Sequence, residues 1–431
     1  MTVRDGRVAG GRWGMDELGL FTAALGLSGP WRVTRSEFDA EATQLDLYLG
    51  FERGARFGCP AKDCVQGGCA VHDTVDKTWR HLDFFQHRAV LHARLPRVRC
   101  PEHGVRQVSV PWARPGSGFT LLFEALVCSF AAAMPISKVA AMTREHDTRI
   151  WRIVEHHVGA ARDQEDFSGV RKVGMDETSA RKGQDYISIF ADMVAARVLF
   201  ATEGRNAATV ARFAADLADH GGDPKKITDT SSDMSTAFIS GIRAHLPNAT
   251  MTFDKFHLAA KLGEAVDAVR RTEVTTRPEL KHTRWLWLKN FSNLSVKQKA
   301  ELHQLMRPST KLATARALRW REDFQAFYDQ HPSYAPEYLR RWCYGAKRSR
   351  LHPIKDFVVL VEKHWDGIIA WHTNHLTNGL LEGINSLVQA AKARARGYRN
   401  KTKMITIVYL TAAKLQLPTL TNPTPAYISS R

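Results

Sequence analysis

Acid is scarce in this chain of 431 residues: Asp and Glu number 44 against 61 Lys and Arg, a formal surplus of +17 at pH 7. So basic a protein is a poor match for cationic partners. It is suited to a polyanion, of which nucleic acid is the commonest, the alternative being a surplus kept for solubility. Long apolar runs are missing as well. No stretch reaches the roughly 18 consecutive apolar residues of a membrane span. The opening MTVRDGRVAGGRWG lacks the apolar core of a secretory leader, so a cytoplasmic protein with no membrane partner is expected. Internal repeats and low-complexity tracts are absent, which excludes a solenoid. What is present is ordinary: 44% hydrophobic and 24% charged residues give a chain able to bury a core. At about 150 residues per domain, its length suggests two to four domains.

Cysteine is sparse too, at six, but four of the six lie between positions 59 and 100. An oxidised scaffold would spread its cysteines over a short secreted chain, whereas clustering in a cytoplasmic one fits metal. FGCPAKDC carries Cys59 and Cys64, and RCPEHG carries Cys100 and His103. Two such corners on either side of an alternating stretch make a tetrahedral zinc knuckle. Cys69 or His72 could take a place in the ligand set, and Cys128 and Cys343 sit in apolar helical contexts as core residues.

Along the chain, residues 1–50 read as a leader, with a helix near 15–25 and a strand at LDLYLGFE, and residues 51–110 as a zinc-finger-like region. PWARPGSG at 111–118 reads as a linker. From 119 to 165 the pattern is a helix-turn-helix: a short helix from Ser137, a break near His146 and a second helix from Asp147, with Ser137 and Asp147 as candidate caps. Arg144, Arg149 and Arg152 are its candidates for DNA contact. From 170 to 258 the order is β-β-β-α-β-α-β, a mixed sheet with helices packed on it. Residues 259–375 form a helical insertion, 376–417 return to the sheet with one long helix over NGLLEGINSLVQAAKARARGY, and 418–431 are a tail.

Metal-assisted phosphodiester chemistry needs carboxylates converging from different elements. Asp176 is expected at the end of the first strand of this domain, Asp233 just after the fourth and Glu382 on the late helix. Strand Asp, strand-end Asp and helix Glu are the pattern of a ribonuclease-H-like core. Glu177 and Asp229 are rivals for the strand positions, and Asp233 has the alternative of capping the next helix. Alternation along the strand would turn Glu177 away from the face that Asp176 occupies. Lys392, Arg394, Arg396 and Arg399, followed by Lys401 and Lys403, would at helical spacing line the path of a DNA backbone, or else form a solvated helix face.

With these motifs in hand, the run from Cys59 to Leu415 resembles the DDE transposases of bacterial insertion sequences of the ISL-three type. The resemblance rests on TWRHLDFFQHRAVLHARLPRVRCPEHG, VPWARPGSGFT, VGMDETSARKG, DMSTAFISGIRAHLPNATMTFDKFHL, LWLKN and TNGLLEGINSLVQAAKARARGYR, in that order. It implies an α/β plus α fold, a ribonuclease-H-like mixed sheet with a large helical insertion behind a zinc-binding region and a helix-turn-helix. It makes Asp176, Asp233 and Glu382 the ligands of two Mg²⁺ ions, with Mn²⁺ as a substitute, and gives Zn²⁺ a structural role. DKFH supplies Asp254 and His257, the latter contacting the scissile phosphate or packing beside the sheet. Many relatives have two-residue spacing and cysteine where this chain has Cys59-x4-Cys64 and His103. Implied partners are double-stranded DNA, as terminal inverted repeats and target, and a second copy of the chain. A catalytically inactive zinc-finger and helix-turn-helix regulator, or a nuclease without strand transfer, are the competing readings.

Overall fold

The computed structural model describes residues 16–62, 64–181, 183, 185–425 and 427. The first fifteen residues of the expected leader, and positions 426 and 428–431 of the expected tail, lie outside the described residues. The chain divides into two units, Met1–Arg162 with Gln416–Arg431, and Asp163–Leu415. Among the described residues no helix is long and apolar enough to cross a membrane.

The first unit opens with α1 (Glu17–Ala24) and a sheet of β1 (Trp31–Asp39), β2 (Gln44–Phe51), β3 (Arg56–Phe57), β4 (Cys69–Arg80), β5 (Arg88–Cys100) and β6 (Gly104–Gln107). The order is β1-β2-β5-β4-β3, with β6 also on β5. Leu45, Leu47 and Leu49 alternate inward from β2, as the LDLYLGFE pattern requires. The expected leader is no separate piece: β2 pairs in parallel with β5, so the strands before residue 50 and the cysteine region share one sheet. Its core is an aromatic stack, Trp112 meeting Trp31 at 4.9 Å and Trp79 at 5.5 Å, both edge to face. Trp112 belongs to the segment expected to be a linker. Burial of Trp112 and Ala113 pins that segment to the sheet, overriding its Pro and Gly content.

Helices α2 (Leu121–Ala133), α3 (Ile136–Thr143) and α4 (Asp147–Arg162) follow. The second helix begins at Asp147 as expected and the first one residue before Ser137, but neither Ser137 nor Asp147 is a cap. Pro135, not Ser137, is the residue before α3, and Asp147 is the first residue inside α4. Proline with its fixed φ starts a helix without a side-chain cap, and an acid in the first turn suits the positive end of the helix dipole.

The second unit is built on β7 (Lys172–Arg181), β8 (Asp185–Asp192), β9 (Arg197–Glu203), β10 (Asp229–Ser232) and β11 (Thr250–Phe253), in the order β11-β10-β7-β8-β9. β7, β8 and β9 are antiparallel, while β10 runs parallel to both β7 and β11. α5 (Ala207–Asp219) and α6 (Thr236–His245) bury Phe213 and Phe238 against Val173, Met175 and Phe190. Helices α7 (Lys255–Glu273), α8 (Arg284–Leu288), α9 (Val296–Leu305), α10 (Ala313–Gln325), α11 (Ala335–Lys347), α12 (His352–Lys363), α13 (Trp365–Ile369) and α14 (Trp371–Asn374) surround their own core, which includes Trp287, Phe324 and Trp342. α15 (Gly379–Arg394) and α16 (Lys401–Ala412) complete the unit. The expected single helix stops at Arg394, because Arg396 (φ 56°) and Gly397 (φ 93°) turn left-handed and reverse the chain.

In the first unit one polar cluster stands inside the apolar packing. Glu124 of α2 is fully buried and accepts hydrogen bonds from Arg114 Nε (2.9 Å), Ser117 Oγ (2.6 Å) and His157 Nε2 of α4 (2.8 Å). His157 Nδ1 meets Tyr427 Oη at 3.0 Å, which ties Tyr427 to this cluster. Burial alone would raise the Glu124 carboxyl, but His157, Arg114 and Ser117 hold it below the ordinary range. Removing one partner of a buried charge cluster costs about 3–5 kcal/mol, because the others are left buried and unpaired. Glu124→Ala is therefore expected to destabilise this unit by that amount in a denaturant melt followed by tryptophan fluorescence; a loss below about 1 kcal/mol, the worth of an exposed pair, would contradict it.

Candidate active site and candidate metal centre

The parallel strands set up the acidic site. One residue past the last β10–β11 pair, Ser232 with Phe253, Asp233 stands level with Asp254; two residues past the last β10–β7 pair, Ser231 with Gly174, it stands level with Asp176. Asp176, Asp233 and Asp254 thus share one register row across three neighbouring strands. The row lies at the carboxyl ends of β10 and β11, where open α/β sheets collect their ligands. Asp176 is not at a strand end as expected. β7 continues to Arg181 because β8 goes on pairing with it, and a paired partner overrides the weak strand preference of acids.

α15 is laid along β7 in matching steps. An added Cβ on Gly174 would come within 2.9 Å of Leu381 Cδ1, so glycine lets the helix seat directly on the strand. Asn385 Nδ2 donates to Asp176 Oδ2 at 2.8 Å, and Gln389 Nε2 to Thr178 Oγ1 at 2.8 Å. Four helical residues rise about 6 Å and two strand residues about 6.6 Å, so Leu381, Asn385 and Gln389 keep pace with Gly174, Asp176 and Thr178. Glu382, exposed in the first turn of α15, lies three residues before Asn385 and so on a neighbouring position of the helix surface. Val173 and Met175 point the other way, into the core under α5 and α6; Glu177 alternates with Asp176 but stays partly exposed, outside that core and near the Asp233 charge.

Each aspartate is held. Asp176 Oδ1 accepts from the Glu177 backbone N–H (2.8 Å), Asp233 Oδ1 from Ser235 N–H (2.9 Å) and Asp254 Oδ2 from His257 N–H (2.9 Å). Asp254 Oδ1 also accepts from the Asn378 N–H (3.2 Å), and Asn378 Oδ1 from Ser231 Oγ (2.6 Å). Burial pushes the Asp176 carboxyl up to about 6, with the charges of Asp233, Asp254 and Glu382 adding to the rise against the pull of the Glu177 N–H. Burial, Asp233 and Asp176 push Glu177 up to about 7 while Arg205 opposes them. Asp229, the other rival, starts β10 at the far end of the strand, bonded to Asn374 Nδ2 (3.1 Å) with Lys172 at 3.8 Å. His257 donates its backbone N–H to the capping Asp254, and the residue is half-buried. Asn378 and Asn385 went unnoticed in the sequence, where a polar residue on an amphipathic helix gives no signal.

The thiol cluster lies between β3 and β4 on one side and β5 and β6 on the other. Among the described residues, Cys59, Cys64, Cys100 and His103 are the one set of three or more metal-type ligands with all ligand atoms within 4.8 Å of each other; the acids around Asp176 are not drawn so tight. Cys64 Sγ and Cys100 Sγ are 3.6 Å apart, and His103 Nδ1 is 3.6 Å from Cys100 Sγ and 3.9 Å from Cys59 Sγ. Cys69 is buried on β4, its Sγ 4.0 Å from the Gln66 carbonyl, and the exposed His72 lies 3.4 Å from an Arg99 nitrogen. Burial raises the Cys100 thiol, but bonds from His103 and the Glu102 backbone outweigh it and bring it down to about 6.

The basic residues are distributed differently from the helical stripe read in the sequence. Arg144 is paired with Asp83 (2.6 Å) and Arg149 with the buried Glu145, while Arg152 is exposed on α4. Lys392 is half-buried and donates to the Ser179 carbonyl (2.7 Å). Arg394 closes α15, Arg396 and Arg399 lie exposed on the turn beyond it, and Lys401 is paired with Asp185 and Glu203, each at 2.9 Å.

Comparison with known proteins bears on both centres. A family model described as a transposase, of the ISL3 DDE group, matches residues 173–408. The helix-turn-helix domain of transposase family ISL3 matches residues 108–158, and the zinc-finger of transposase IS204/IS1001/IS1096/IS1165 matches residues 58–103. The chain is similar to the transposase for insertion sequence element IS1001 of Bordetella parapertussis, 29% identical over 354 residues that cover 78% of this chain and 86% of that one. It is also similar to the transposase for insertion sequence element IS1557 of Mycobacterium tuberculosis, 27% identical over 372 residues, 78% of this chain and 82% of the relative. A match over more than half its length, flanked by the zinc-finger and helix-turn-helix of the same group, establishes that the chain belongs to the ISL3 family of insertion-sequence transposases.

Proposed function

We propose that this protein binds the terminal inverted repeats of an insertion sequence in double-stranded DNA, cuts there and joins the ends to target DNA, with Asp176, Asp233 and Glu382 as its catalytic carboxylates. The observation that carries the reading is the register that sets Asp233 level with Asp176, together with the Asn385–Asp176 bond that seats the helix bearing Glu382 on β7. The sheet order, three antiparallel strands continued by two parallel ones, supports a ribonuclease-H-like catalytic domain over 170–258 and 376–417, with 259–375 inserted. Residues 51–110 and 119–165 would recognise the ends.

The acidic residues fit two Mg²⁺ ions, or Mn²⁺ in their place. Their donors are all hard carboxylate oxygens, and a cation would offset the burial that chiefly raises Asp176 as well as the added repulsion from its acidic neighbours. Bound there, the ions would acidify the attacking water or hydroxyl and neutralise the phosphate. The protein's part is to keep the oxygens in place: Asn385 and the Glu177 N–H fix Asp176, and Asn378 joins Asp254 to β10 at the start of the Glu382 helix. A framework already bonded in this way need not reorganise when DNA arrives. Attack by water at the element's end frees a 3′-hydroxyl. Attack by that hydroxyl on target DNA forms the new phosphodiester and expels the target's own 3′-oxygen. Both are in-line displacements, so one set of carboxylates serves each and no protein nucleophile is required. In this reading His257, three residues after Asp254, would contact the scissile phosphate, and the exposed Arg152, Arg394, Arg396 and Arg399 would meet DNA backbone. Holding two ends together calls for a dimer or higher assembly on DNA, in the cytoplasm.

Cys59, Cys64, Cys100 and His103 fit a structural Zn²⁺. The separations of 3.6 to 3.9 Å among them match the edge of about 3.8 Å expected for a tetrahedron with 2.3 Å zinc–sulfur bonds. An ion bound there would balance thiolates that otherwise repel.

Asp176→Ala, Asp233→Ala and Glu382→Ala are each expected to lower end cleavage in Mg²⁺ by roughly a thousandfold or more while end binding in a gel-shift assay stays near wild type. Cleavage at wild-type rate in any one variant removes that residue from the assignment, and binding without cleavage by the wild type points to the inactive regulator. Cys100→Ser should release zinc, measured by elemental analysis of the purified full chain, and weaken end binding; a zinc content equal to wild type would exclude this ligand set.

A further inference from the structure

The β4–β5 hairpin ends in an exposed aromatic tip for which the chemistry above has no use. Phe84 and His87 exchange both backbone hydrogen bonds, each at 2.9 Å, closing a two-residue turn over Phe85 and Gln86. Phe85 has φ +53°, at the first turn position, where a left-handed φ ordinarily calls for glycine. A large aromatic residue kept at this position, where glycine would relieve the backbone, prompts the question of what its side chain does. The ring is not stored in the core: Phe85 is 81% exposed and Phe84 38%. The two rings touch at 4.6 Å and are propped from below, Phe84 by Phe21 at 5.7 Å and the turn's His87 by the exposed Phe38 at 4.8 Å. This is a stiff apolar point.

Its surroundings indicate what it meets. Asp83, one residue before the tip, is bonded to Arg144 (2.6 Å), the residue that ends α3. Glu145, next in the turn between the two helices, is buried and takes Arg88 (3.4 Å), Arg80 (3.8 Å) and Arg149. The tip is thus fastened beside the start of α4, the end of a recognition helix that faces base edges. Arg88, Arg144 and Arg149 remain between 38% and 44% exposed around it. An apolar point next to Asp83, in a network where four arginines share two carboxylates and three of the arginines stay partly exposed, fits a partner with an anionic outline and apolar slots, and duplex DNA, with phosphates outside and stacked bases inside, has both. We propose that Phe85, backed by Phe84, is a wedge that enters the base stack of the DNA end held by the helix-turn-helix and unstacks one step, as apolar side chains do in DNA-bending proteins. This rests on the end-binding role proposed above.

The test uses the full-length protein and a duplex carrying one end of the element that encodes it, with 2-aminopurine moved through successive positions. Wild type should raise the fluorescence severalfold at one or two adjacent positions. Phe85→Gly, which supplies the residue the turn prefers, should abolish the rise without lowering the melting temperature, and Phe85→Trp should restore it. An undiminished rise with Phe85→Gly, or tight wild-type binding with no rise at any position, overturns the wedge while leaving end binding intact. Failure of wild type to bind the duplex overturns end recognition, and the wedge with it. A change of oligomeric state in Phe85→Gly by light scattering, with the fluorescence rise retained, would assign the tip to a contact between copies and overturn the proposal.

Discussion

The second unit sets Asp176, Asp233 and Asp254 in one register row, and hydrogen bonds fix each of them there. The decisive match is between α15 and β7: a four-residue step on the helix and a two-residue step on the strand have nearly the same length. Leu381 over Gly174, Asn385 on Asp176 and Gln389 on Thr178 therefore form one seam. A shift by one residue along β7 would turn Asp176 into the core beneath α5 and α6 and bring Glu177 to the helix. Asn378 adds a second tie from the start of the same helix to β10 and to Asp254. Placing Glu382 is then a consequence of fixing its helix at two points.

The scarcity of acid gains meaning from where the acids sit. In a chain with a surplus of +17, several carboxylates are hubs for more than one base. Glu124 gathers Arg114 and His157, Glu145 gathers Arg80, Arg88 and Arg149, and Asp267 gathers Arg270, Arg271 and Arg284. Low dielectric around Glu124 and Glu145 strengthens these pairs and makes each hub hard to remove. The same pairing withdraws part of the positive charge from any nucleic acid, so the formal surplus overstates what is free to bind. Arg149 shows this, lying on α4 of the helix-turn-helix region and paired with Glu145.

Much of the candidate site's placement on strands and helices was legible from residue types. Strand, strand-end and helix positions for Asp176, Asp233 and Glu382 follow from hydropathy periods, and the alternation that separates Glu177 from Asp176 is a property of any strand. The true length of β7 was not legible, because its last five residues, from Glu177 to Arg181, are held by pairing with β8 rather than by their own preference. Neither were the two asparagines, since nothing local distinguishes a hydrogen-bonding Asn from a solvated one. At the thiol cluster, spacing singled out two corners, but only the turn geometry shows that Cys59 and Cys64 close on Cys100 and His103 while Cys69 stays on β4 and His72 turns outward.

What the sequence determined by itself was local or compositional: the order of elements from β7 to β11, the helical stretch that follows, the basic surplus, the pairs of metal-type ligands, and the motifs that the ISL3 family shares. These depend on neighbours a few residues apart, so a linear reading reaches them. What the tertiary structure decided was every relation across long stretches of chain: that strands before residue 50 join the sheet of the cysteine region, that Trp112 makes a core of an apparent linker, and that the late basic run breaks at Gly397. Such outcomes turn on which distant surface removes apolar area or satisfies a buried polar group, and no window of sequence contains both partners.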